Sequence, residues 1–576
     1  MIDSLEHLIR VAGGAEQAQL VFKNANVLDV FDGRILEGLD VAVWGGKIAG
    51  LSAEKYRGEK EIDLKGKILV PGLLDGHLHV ESTMLTVGEF ARCVVPHGTT
   101  TIIIDPHEIA NVLGLDGIRF ILESSKYQPL TVFVCLPSCV PATDLETAGS
   151  KLSAFDLWSF FQNKWVVGLA EMMNYPGVIN ADKSVLEKID LAQSMGKRID
   201  GHAPALRGKP LNAYIAANIK SDHECISLEE AAEKLARGMH VMIREGSLAK
   251  NLEDLLPLVT ERNHTRFMFV TDDRHPHTLR DHGHMDAIVR KAIRLGLDPI
   301  LAVKMASYNT AHYFKLEHLG AVAPSYIADL LVVDDLRSFN VEMVFKNGEL
   351  VARDGHLLYT PPVRKDLHLR STVNIKWLEP SDFYVPVRHG KLRVIEIIPK
   401  SLYTREVHVE PTVRGQEAVP DADKDIAKIV VVDRHQARHV SVGFVRGFGL
   451  KSGAWAQTIA HDSHNVIAVG MNDADLMKAI IRIRKIGGGI AVVENEAVLE
   501  QLPLPIAGLM SDKTFPEVSD AMDRLFHALR DRLGSPIGDP FMTLAFLALP
   551  VIPELKITDC GLVDAKAFKH VDLWVE

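Results

Sequence analysis

Eight apolar, strand-like runs recur between Ile68 and Asp273, about 20 to 35 residues apart, and they restrict the fold more than any other feature. Helical patterns such as GLDGIRFILESSK and SLEEAAEKLARG separate several of them. Eight strand–helix units favour a closed parallel (β/α)8 barrel of the TIM type. An open, doubly wound sheet is the alternative, but no glycine-rich dinucleotide fingerprint follows the first run. The runs are KILVPGLLD, TTTIIID, LTVFVCL, KWVVGLAE, KRIDGHA, NIKSDHE, GMHVMIRE and TRFMFVTDD.

The segments on either side of these runs echo each other. VFKNANVLDVFDGRI begins at Val21 and VFKNGELVARDGHL begins at Val344, and both are typical of strand–turn–strand units with Asp-Gly turns. We therefore expect residues 1–67 and 320–365 to form one small, non-contiguous β-domain around a catalytic barrel of residues 68–319. Residues 366–576 mix runs such as KIVVVD with helices such as DADLMKAIIRIRKIG. They predict a C-terminal α/β domain, with α+β as the open alternative.

Composition excludes several classes of protein. The chain has 576 residues, of which 47% are hydrophobic and 24% are charged, and these values are close to globular averages. A net charge of −11 without a long basic run argues against a nucleic-acid partner. The sequence contains no stretch of 18 or more apolar residues, so it predicts no membrane span. The N-terminus lacks the apolar core of a signal peptide and no C-x-x-C motif is present, so we expect a cytoplasmic protein.

Histidines and carboxylates stand at the ends of five of the eight runs. In His77-Leu78-His79 the two imidazoles share one face of a strand, because side chains repeat every second residue. An isolated H-x-H is equally well explained by two solvated loop histidines. The carboxyl ends of barrel strands meet at one face, however, so side chains that follow several strands converge there. The six candidate metal ligands are His77, His79, Glu171, His202, His223 and Asp272.

The types of these ligands narrow the chemistry. Four imidazoles and two carboxylates suit Zn²⁺, Mn²⁺ or Fe²⁺ better than Ca²⁺ or Mg²⁺. Six donors exceed the needs of one catalytic ion with an open position, so we expect two divalent metal ions. Two such ions can share a water and lower its pKa toward neutrality, which generates hydroxide. Asp272 would then take and return a proton.

Longer strings around these residues make the sequence recognisable. PGLLDGHLHVESTM, DPHEIANVLG, GLAEMMNYPGV, DGHAP and TDDRHPH resemble the bacterial adenine deaminases of the amidohydrolase superfamily, and the resemblance extends across essentially the whole chain. It implies hydrolysis of adenine to hypoxanthine and ammonia by a metal-bound hydroxide at a binuclear centre. We expect Mn²⁺ or Fe²⁺ as the bound metal in preference to Zn²⁺, and adenine as the small-molecule partner. We expect the chain to form a homo-oligomer, a dimer. Many superfamily members carry a modified lysine at the fourth strand, whereas Glu171 matches the adenine deaminase pattern.

The implied mechanism assigns two catalytic residues. Glu171 is the candidate that carries a proton to the ring nitrogen N1, and Asp272 is the candidate that delivers one to the departing ammonia. Glu171 stays open between metal ligand and proton shuttle. Candidates for contact with the purine are Glu81, Ser82, His107, Glu108 and the turn His461–His464. Helix capping and a polar hairpin turn are the structural alternatives for these residues.

Two competing functions remain open at this stage. The first is an amidohydrolase that opens a cyclic amide such as a hydantoin or an imidazolone, which would share the metal site but need other substrate contacts. Ammonia release from adenine, compared with ring opening of cyclic amides, separates the two enzymes. The second is a non-catalytic scaffold, which predicts the loss of one or more ligands, whereas every expected position is filled.

Overall fold

The computed structural model describes residues 2–359, 369, 371–399 and 401–576. The N-terminal flank begins a mixed sheet, in which β1 pairs antiparallel with β2 and parallel with both β4 and β5. Its elements are the helix α1 (Ile2–Ala12) and the strands β1 (Ala18–Asp29), β2 (Arg34–Trp44), β3 (Lys47–Ser52), β4 (Gly58–Asp63) and β5 (Ile68–Pro71). Apolar side chains of β1 and β2 form a buried core together with Ile48, Leu69 and residues of the C-terminal flank such as Leu330 and Phe345.

All eight predicted runs form strands, and every strand in this series pairs in parallel with its neighbour in the same sheet. One sheet has the order β10-β9-β8-β7-β6 and the other the order β11-β12-β13. The strands are β6 (Leu73–Leu78), β7 (Thr99–Ile104), β8 (Thr131–Leu136), β9 (Val166–Met172), β10 (Arg198–Gly201), β11 (Ser221–Asp222), β12 (His240–Arg244) and β13 (Phe267–Val270). Every residue of β6, β7 and β13 is buried, as expected for parallel strands covered on both faces.

Helices separate these strands and cover them. Side-chain caps fix where several begin: Ser153 and Asp156 form a capping box, and Ser227 accepts from the backbone N–H of Glu230. No helix in the described part of the chain is both long enough and apolar enough to cross a bilayer. The helices are α2 (Val87–Val94), α3 (His107–Leu113), α4 (Leu115–Ser124), α5 (Ala154–Phe161), α6 (Tyr175–Ile179), α7 (Lys183–Ser194), α8 (Gly208–Ala216), α9 (Leu228–Ala236), α10 (Leu252–Leu255), α11 (Pro276–His282), α12 (Met285–Arg294), α13 (Pro299–Met305) and α14 (Tyr308–Tyr313).

The first and last strands of the series meet edge to edge. Leu78 and Asp272 form a parallel bridge, and the backbone N–H of Asp272 donates to the carbonyl of His77 at 3.0 Å. The buried Asp75 side chain accepts hydrogen bonds from the backbone N–H and the hydroxyl of Thr271. The parallel strands are therefore curled. Because they form two separate ladders, the closed (β/α)8 barrel itself stays a prediction.

Strands from the two flanks pair in one nine-stranded sheet, as the echoed sequences predict. The contact is made by β14, which runs antiparallel to β5 from Leu330 opposite Pro71 to Val333 opposite Ile68. The C-terminal members of this sheet are β14 (Leu330–Val333), β15 (Val341–Lys346), β16 (Glu349–Arg353) and β17 (His356–Leu357). The predicted domain boundaries stay predictions, and residues 360–365 lie outside the described residues.

The C-terminal part contains a second nine-stranded sheet, of order β19-β18-β23-β22-β25-β24-β26-β27 with β31 on β18. All its pairs are antiparallel except β18 with β23, so the arrangement is α+β, and the α/β expectation for this part was wrong. The elements are β18 (Lys391–Ile397), β19 (Thr404–Val409), β20 (Thr412–Arg414), β21 (Glu417–Val419), β22 (Ile426–Val432), β23 (Val440–Arg446), β24 (Ala454–Gln457), β25 (Val466–Gly470), α15 (Asp473–Ile486), β26 (Gly489–Glu494), β27 (Ala497–Pro503), α16 (Phe515–His527), α17 (Pro540–Phe546), β28 (Leu555–Thr558), β29 (Gly561–Asp564), β30 (Lys569–Val571) and β31 (Trp574–Val575).

The seam between β6 and β13 generates a stability prediction. Replacing Asp75 with Ala leaves two buried donors of Thr271 without an acceptor, so we expect a loss of about 1–3 kcal/mol of unfolding free energy. The matched control is Asp116→Ala on the exposed face of α4, where the expected change is within about 0.5 kcal/mol. Denaturation midpoints of the two variants provide the measurement. Equal midpoints would contradict the stabilising role assigned to Asp75.

Candidate metal centre

The six predicted ligands come together in one buried cluster. His77 belongs to β6 and Glu171 to β9, whereas the other four follow the ends of β6, β10, β11 and β13. The rings of His77 and His79 have their centroids 4.9 Å apart, and His77 stacks on His223 with centroids 4.4 Å apart. None of the six residues is more than 6% exposed. The strand ends therefore converge as the sequence predicts, with His77, His79, Glu171, His202, His223 and Asp272 as members.

Glu171 lies at the centre of this cluster and divides its two oxygens between two groups of imidazoles. Its Oε1 is 3.3 Å from His79 Nε2 and 3.7 Å from His77 Nε2. Its Oε2 is 2.6 Å from His202 Nδ1 and 3.2 Å from His223 Nε2. One carboxylate thus connects histidines from three strand ends, which is the arrangement required of a ligand shared by two cations.

Asp272 faces the same cluster from the opposite strand end. Its Oδ1 is 3.2 Å from His79 Nε2 and 3.7 Å from His77 Nε2. Its Oδ2 accepts a hydrogen bond from Arg244 Nη1 at 2.7 Å, and Arg244 also pairs with Glu224 through both of its terminal nitrogens. The backbone of Asp272 has φ = 57°, the left-handed region, which costs free energy in a non-glycine residue and is common at functional sites. Arg244 therefore fixes one oxygen of Asp272 and leaves the other toward the histidines.

Ring nitrogens without hydrogen-bond partners show that the cluster fits cations. His77 Nε2, His202 Nε2 and His223 Nδ1 are buried and have no partner among the described residues. Buried polar atoms are normally satisfied, so orphans grouped beside two carboxylates need an explanation such as a bound ion. Three sets of possible ligand atoms lie close enough to share an ion: His77, His79 and Asp272; His77, Glu171 and His223; and His202, His223 and Glu224. A mixed N/O set of this kind suits first-row divalent metals.

The electrostatics of the cluster favour cation binding. Burial raises the pKa of Glu171, but its hydrogen bonds with His202, His223 and His79 outweigh this and bring the pKa well below its ordinary value. For Asp272, burial is outweighed in the same way by the charge of Arg244 and the hydrogen bond with His79. Burial also holds the pKa of His77 well below its ordinary value. The two carboxylates and His77 are in protonation states that bind a metal. Neighbouring carboxylates outweigh burial and raise the pKa values of His79, His202 and His223, the last to about 9, so these imidazoles hold protons that a metal ion would displace.

The residues behind the cluster orient it. His79 Nδ1 lies 2.9 Å from the carbonyl oxygen of Asp105, so Nδ1–H donates outward and Nε2 faces the carboxylates of Glu171 and Asp272. Sequence reasoning missed this carbonyl and also missed Arg244 and Glu224. Arg244 ends the strand β12 and Glu224 directly follows His223, so the strand-end criterion, applied to every strand, would have found both side chains. The Asp105 contact carries no sequence signal, because every residue has a carbonyl.

A cavity beside the cluster is lined from two sides. The strand ends contribute His107, Glu108 and Asp273 next to cluster members, and the C-terminal part contributes Leu402, His461, Asp462, Phe546, Leu549 and Ile552. The turn after β24 brings His461 Nδ1 to 3.2 Å from Glu108 Oε1, and Asp462 Oδ1 to 3.6 Å from His107 Nε2. The turn His461–His464 therefore lies at the strand ends of its own chain.

The remaining purine-contact candidates occupy different positions around this cavity. Glu81 does not line it, and its Oε1 accepts from the backbone N–H of Ile109 in α3, which is the capping alternative. His464 accepts from the backbone N–H of Ala460 within its own turn. Ser82 lies between two carboxyl groups, those of Glu108 and Asp273. Of the candidates, His107, Glu108, His461 and Asp462 face the cavity.

Comparison with known proteins places this site in a family. The model of the amidohydrolase family matches residues 68–351, and the model of the adenine deaminase C-terminal domain matches residues 401–569. The first range contains all six members of the cluster. The second contains the turn and the apolar side chains that close the cavity.

Relatives of known name match over the full length. An adenine deaminase of Dehalococcoides mccartyi is 48% identical over 572 residues, which are 99% of both chains. An adenine deaminase 2 of Carboxydothermus hydrogenoformans is 48% identical over 98% of this chain and 99% of its own. An adenine deaminase of Desulfatibacillum aliphaticivorans is 48% identical over 100% of both chains. With this identity from end to end, the chain belongs to the adenine deaminase family.

Proposed function

We propose that this chain hydrolyses adenine to hypoxanthine and ammonia. The observation that carries the proposal is the buried convergence of four imidazoles and two carboxylates from five strand ends, beside a cavity, in a chain whose relatives are adenine deaminases. The cavity borders the cluster, because five of the six cluster members are among its lining residues. Its apolar wall of Leu402, Phe546, Leu549 and Ile552 suits a flat heteroaromatic ring.

The cluster would hold two divalent metal ions, of which Mn²⁺ or Fe²⁺ is proposed before Zn²⁺. Glu171 would bridge them, because its two oxygens face different pairs of histidines. When bound, two divalent ions supply Lewis acidity and lower the pKa of a shared water toward neutrality. The proposed ligands are His77, His79, Glu171, His202, His223 and Asp272.

The reaction requires protons to move in both directions. Attack on C6 of adenine removes a proton from the water nucleophile, and the amino group must receive a proton before it leaves. Asp272 is placed for both steps: Arg244 holds its Oδ2 at 2.7 Å, and Oδ1, 3.2 Å from His79 Nε2, is the oxygen that would accept and return a proton at the cluster. Because the neighbouring guanidinium is fixed by Glu224 as well, Asp272 stays oriented during the transfer.

Glu171 is better placed as a ligand than as the carrier of a proton to N1. Both of its oxygens are engaged with imidazoles, whereas a shuttle needs one oxygen free to reach the ring nitrogen. The shuttle role remains the second candidate for Glu171, since it also lines the cavity.

A closed barrel of residues 68–319 is part of the proposal. The parallel bridge between Leu78 and Asp272 supports it at one edge. At the other edge the backbone N–H of Lys220 donates to the carbonyl of Ile199 at 3.0 Å, between β10 and β11. Closure would bring all strand ends to one face, where the cluster lies. The flanking domains are proposed at residues 1–67 with 320–365, and at residues 366–576.

The function is tested by activity and metal content on one preparation. We expect ammonia release from adenine, loss of that activity after chelation, and its return with Mn²⁺, Fe²⁺ or Zn²⁺, because the six donors alone supply no nucleophile. Ring opening of a hydantoin serves as the competing assay. A preparation freed of metal that stays fully active, or one that opens the cyclic amide faster than it deaminates adenine, would refute the proposal.

Asp272→Asn tests the proton carrier. The amide keeps the shape and an oxygen for the cluster but cannot accept a proton, so kcat should fall by about 10²–10⁴-fold while most of the metal is retained. The control Asp281→Asn changes an exposed aspartate of α11 and should leave kcat unchanged. Parental turnover by Asp272→Asn would exclude this role.

Glu171→Gln distinguishes a ligand from a shuttle. If Glu171 bridges the ions, the amide, which is a poorer ligand, should reduce the bound metal from two equivalents to one or fewer. Elemental analysis of the purified variant measures this, with the exposed Glu187→Gln as control. Two retained ions together with a large loss of kcat would instead support the shuttle.

A further inference from the structure

Outside the proposed metal centre, two buried carboxyl oxygens of residues that line the cavity lack a partner among the described residues, Asp462 Oδ2 and Glu108 Oε2. Of these two residues, Glu108 is the one whose other oxygen lies 2.8 Å from a hydroxyl, that of Ser82. Glu108, the second residue of α3, is 1% exposed and lines the cavity. Its Oε2 is buried and has no hydrogen-bond partner among the described residues. A buried carboxyl oxygen left in this state costs free energy, so its position in a substrate cavity indicates a ligand that supplies a hydrogen.

Hydrogen counting around Ser82 shows that this oxygen is an acceptor. Ser82 Oγ lies 2.8 Å from Glu108 Oε1 and also contacts Asp273 Oδ1. A hydroxyl has one hydrogen, so it donates to one carboxyl group and must accept from the other. The additional hydrogen therefore lies on the oxygen that contacts Ser82, either Asp273 Oδ1 or Glu108 Oε1. With one additional hydrogen in this pair of carboxyl groups, Glu108 is either protonated on Oε1 or ionised, and Oε2 is an acceptor in both cases.

His461 from the C-terminal part completes the positioning of this carboxyl group. Its Nδ1 is 3.2 Å from Glu108 Oε1, on the side already occupied by Ser82, and its ring stacks on Phe546 with centroids 4.4 Å apart. Burial, Glu81 and Asp273 raise the pKa of Glu108, in agreement with a hydrogen shared in this group. Two contacts thus hold Oε1, and Oε2 is the oxygen without a partner among the described residues, in a side chain that lines the cavity.

A third cation does not explain the free oxygen. Glu108, His461 and His464 are near enough to share an ion. However, His464 Nδ1 already accepts from the backbone N–H of Ala460 at 3.2 Å, so its hydrogen is on Nε2 in the neutral ring. With neither nitrogen offering a lone pair, His464 cannot act as a ligand. A hydrogen-bond donor on an organic ligand remains.

Adenine offers two kinds of N–H group, and only one is available to Glu108. The exocyclic amine is the leaving group, so it must lie at the metal cluster. The other is the N9–H of the five-membered ring, on the far edge of the base. Given the function proposed above, we propose that Glu108 Oε2 accepts a hydrogen bond from N9–H and so selects the free base over bases substituted at N9, such as nucleosides.

The proposal is tested by combining a residue change with a substrate change. kcat/KM is measured for adenine and 9-methyladenine with the parental protein, Glu108→Leu, which removes the acceptor at similar volume, and the matched control Glu81→Leu, at a neighbouring buried glutamate outside the cavity lining. Loss of one hydrogen bond to a carboxyl group should lower kcat/KM for adenine by about 10–100-fold. The value for 9-methyladenine should stay nearly constant, so the preference for adenine shrinks by the same factor, whereas Glu81→Leu keeps it.

An unchanged preference in Glu108→Leu would overturn the inference. If that variant does not fold, inhibition constants measured with the parental protein test the inference. The two competitive inhibitors are 7-deazaadenine, which keeps N9–H, and 9-methyladenine, which lacks it. We expect 7-deazaadenine to bind at least about ten times more tightly, and equal binding would overturn the inference. Failure of the proposed function is distinguishable, because the parental protein would then release no ammonia from adenine.

Discussion

The Glu171 carboxylate is the interaction on which the rest of the site depends. Its two oxygens lie within 3.7 Å of imidazoles from three strand ends, all in surroundings from which water is excluded. Removing water strengthens each of these attractions and also makes every uncompensated charge costly. Orphaned ring nitrogens and an ionised carboxylate in so dry a place are consistent only with added positive charge, as a proton or as a metal ion.

The two halves of the chain contribute different parts of one cavity. The parallel strands bring rigid, buried strand ends, which can hold ligands within tenths of an ångström. The C-terminal sheet brings the turn with His461 and Asp462 and an apolar wall from α17 and the residues after it. In the proposals above, chemistry belongs to the strand ends, and recognition of the base is shared between α3 and the C-terminal part.

Local patterns predicted much of this architecture. Most of the eight runs are short apolar stretches bounded by turn residues, and the six predicted ligands come together because parallel strand ends converge. The interactions that escaped prediction are non-local. Ser82 meets Asp273 across 191 residues, and His461 approaches Glu108 from a turn in a separate sheet. The antiparallel order of the C-terminal strands could not be predicted from the sequence either, because apolar runs of similar length fit several strand pairings.

Anomalous diffraction from crystals grown with Mn²⁺ measures the central claim most directly. Two peaks are expected, with the Glu171 carboxylate between them and His77, His79 and Asp272 on one side and His202 and His223 on the other. A single peak, or peaks bound away from Glu171, would contradict the assignment of this cluster as a centre for two cations.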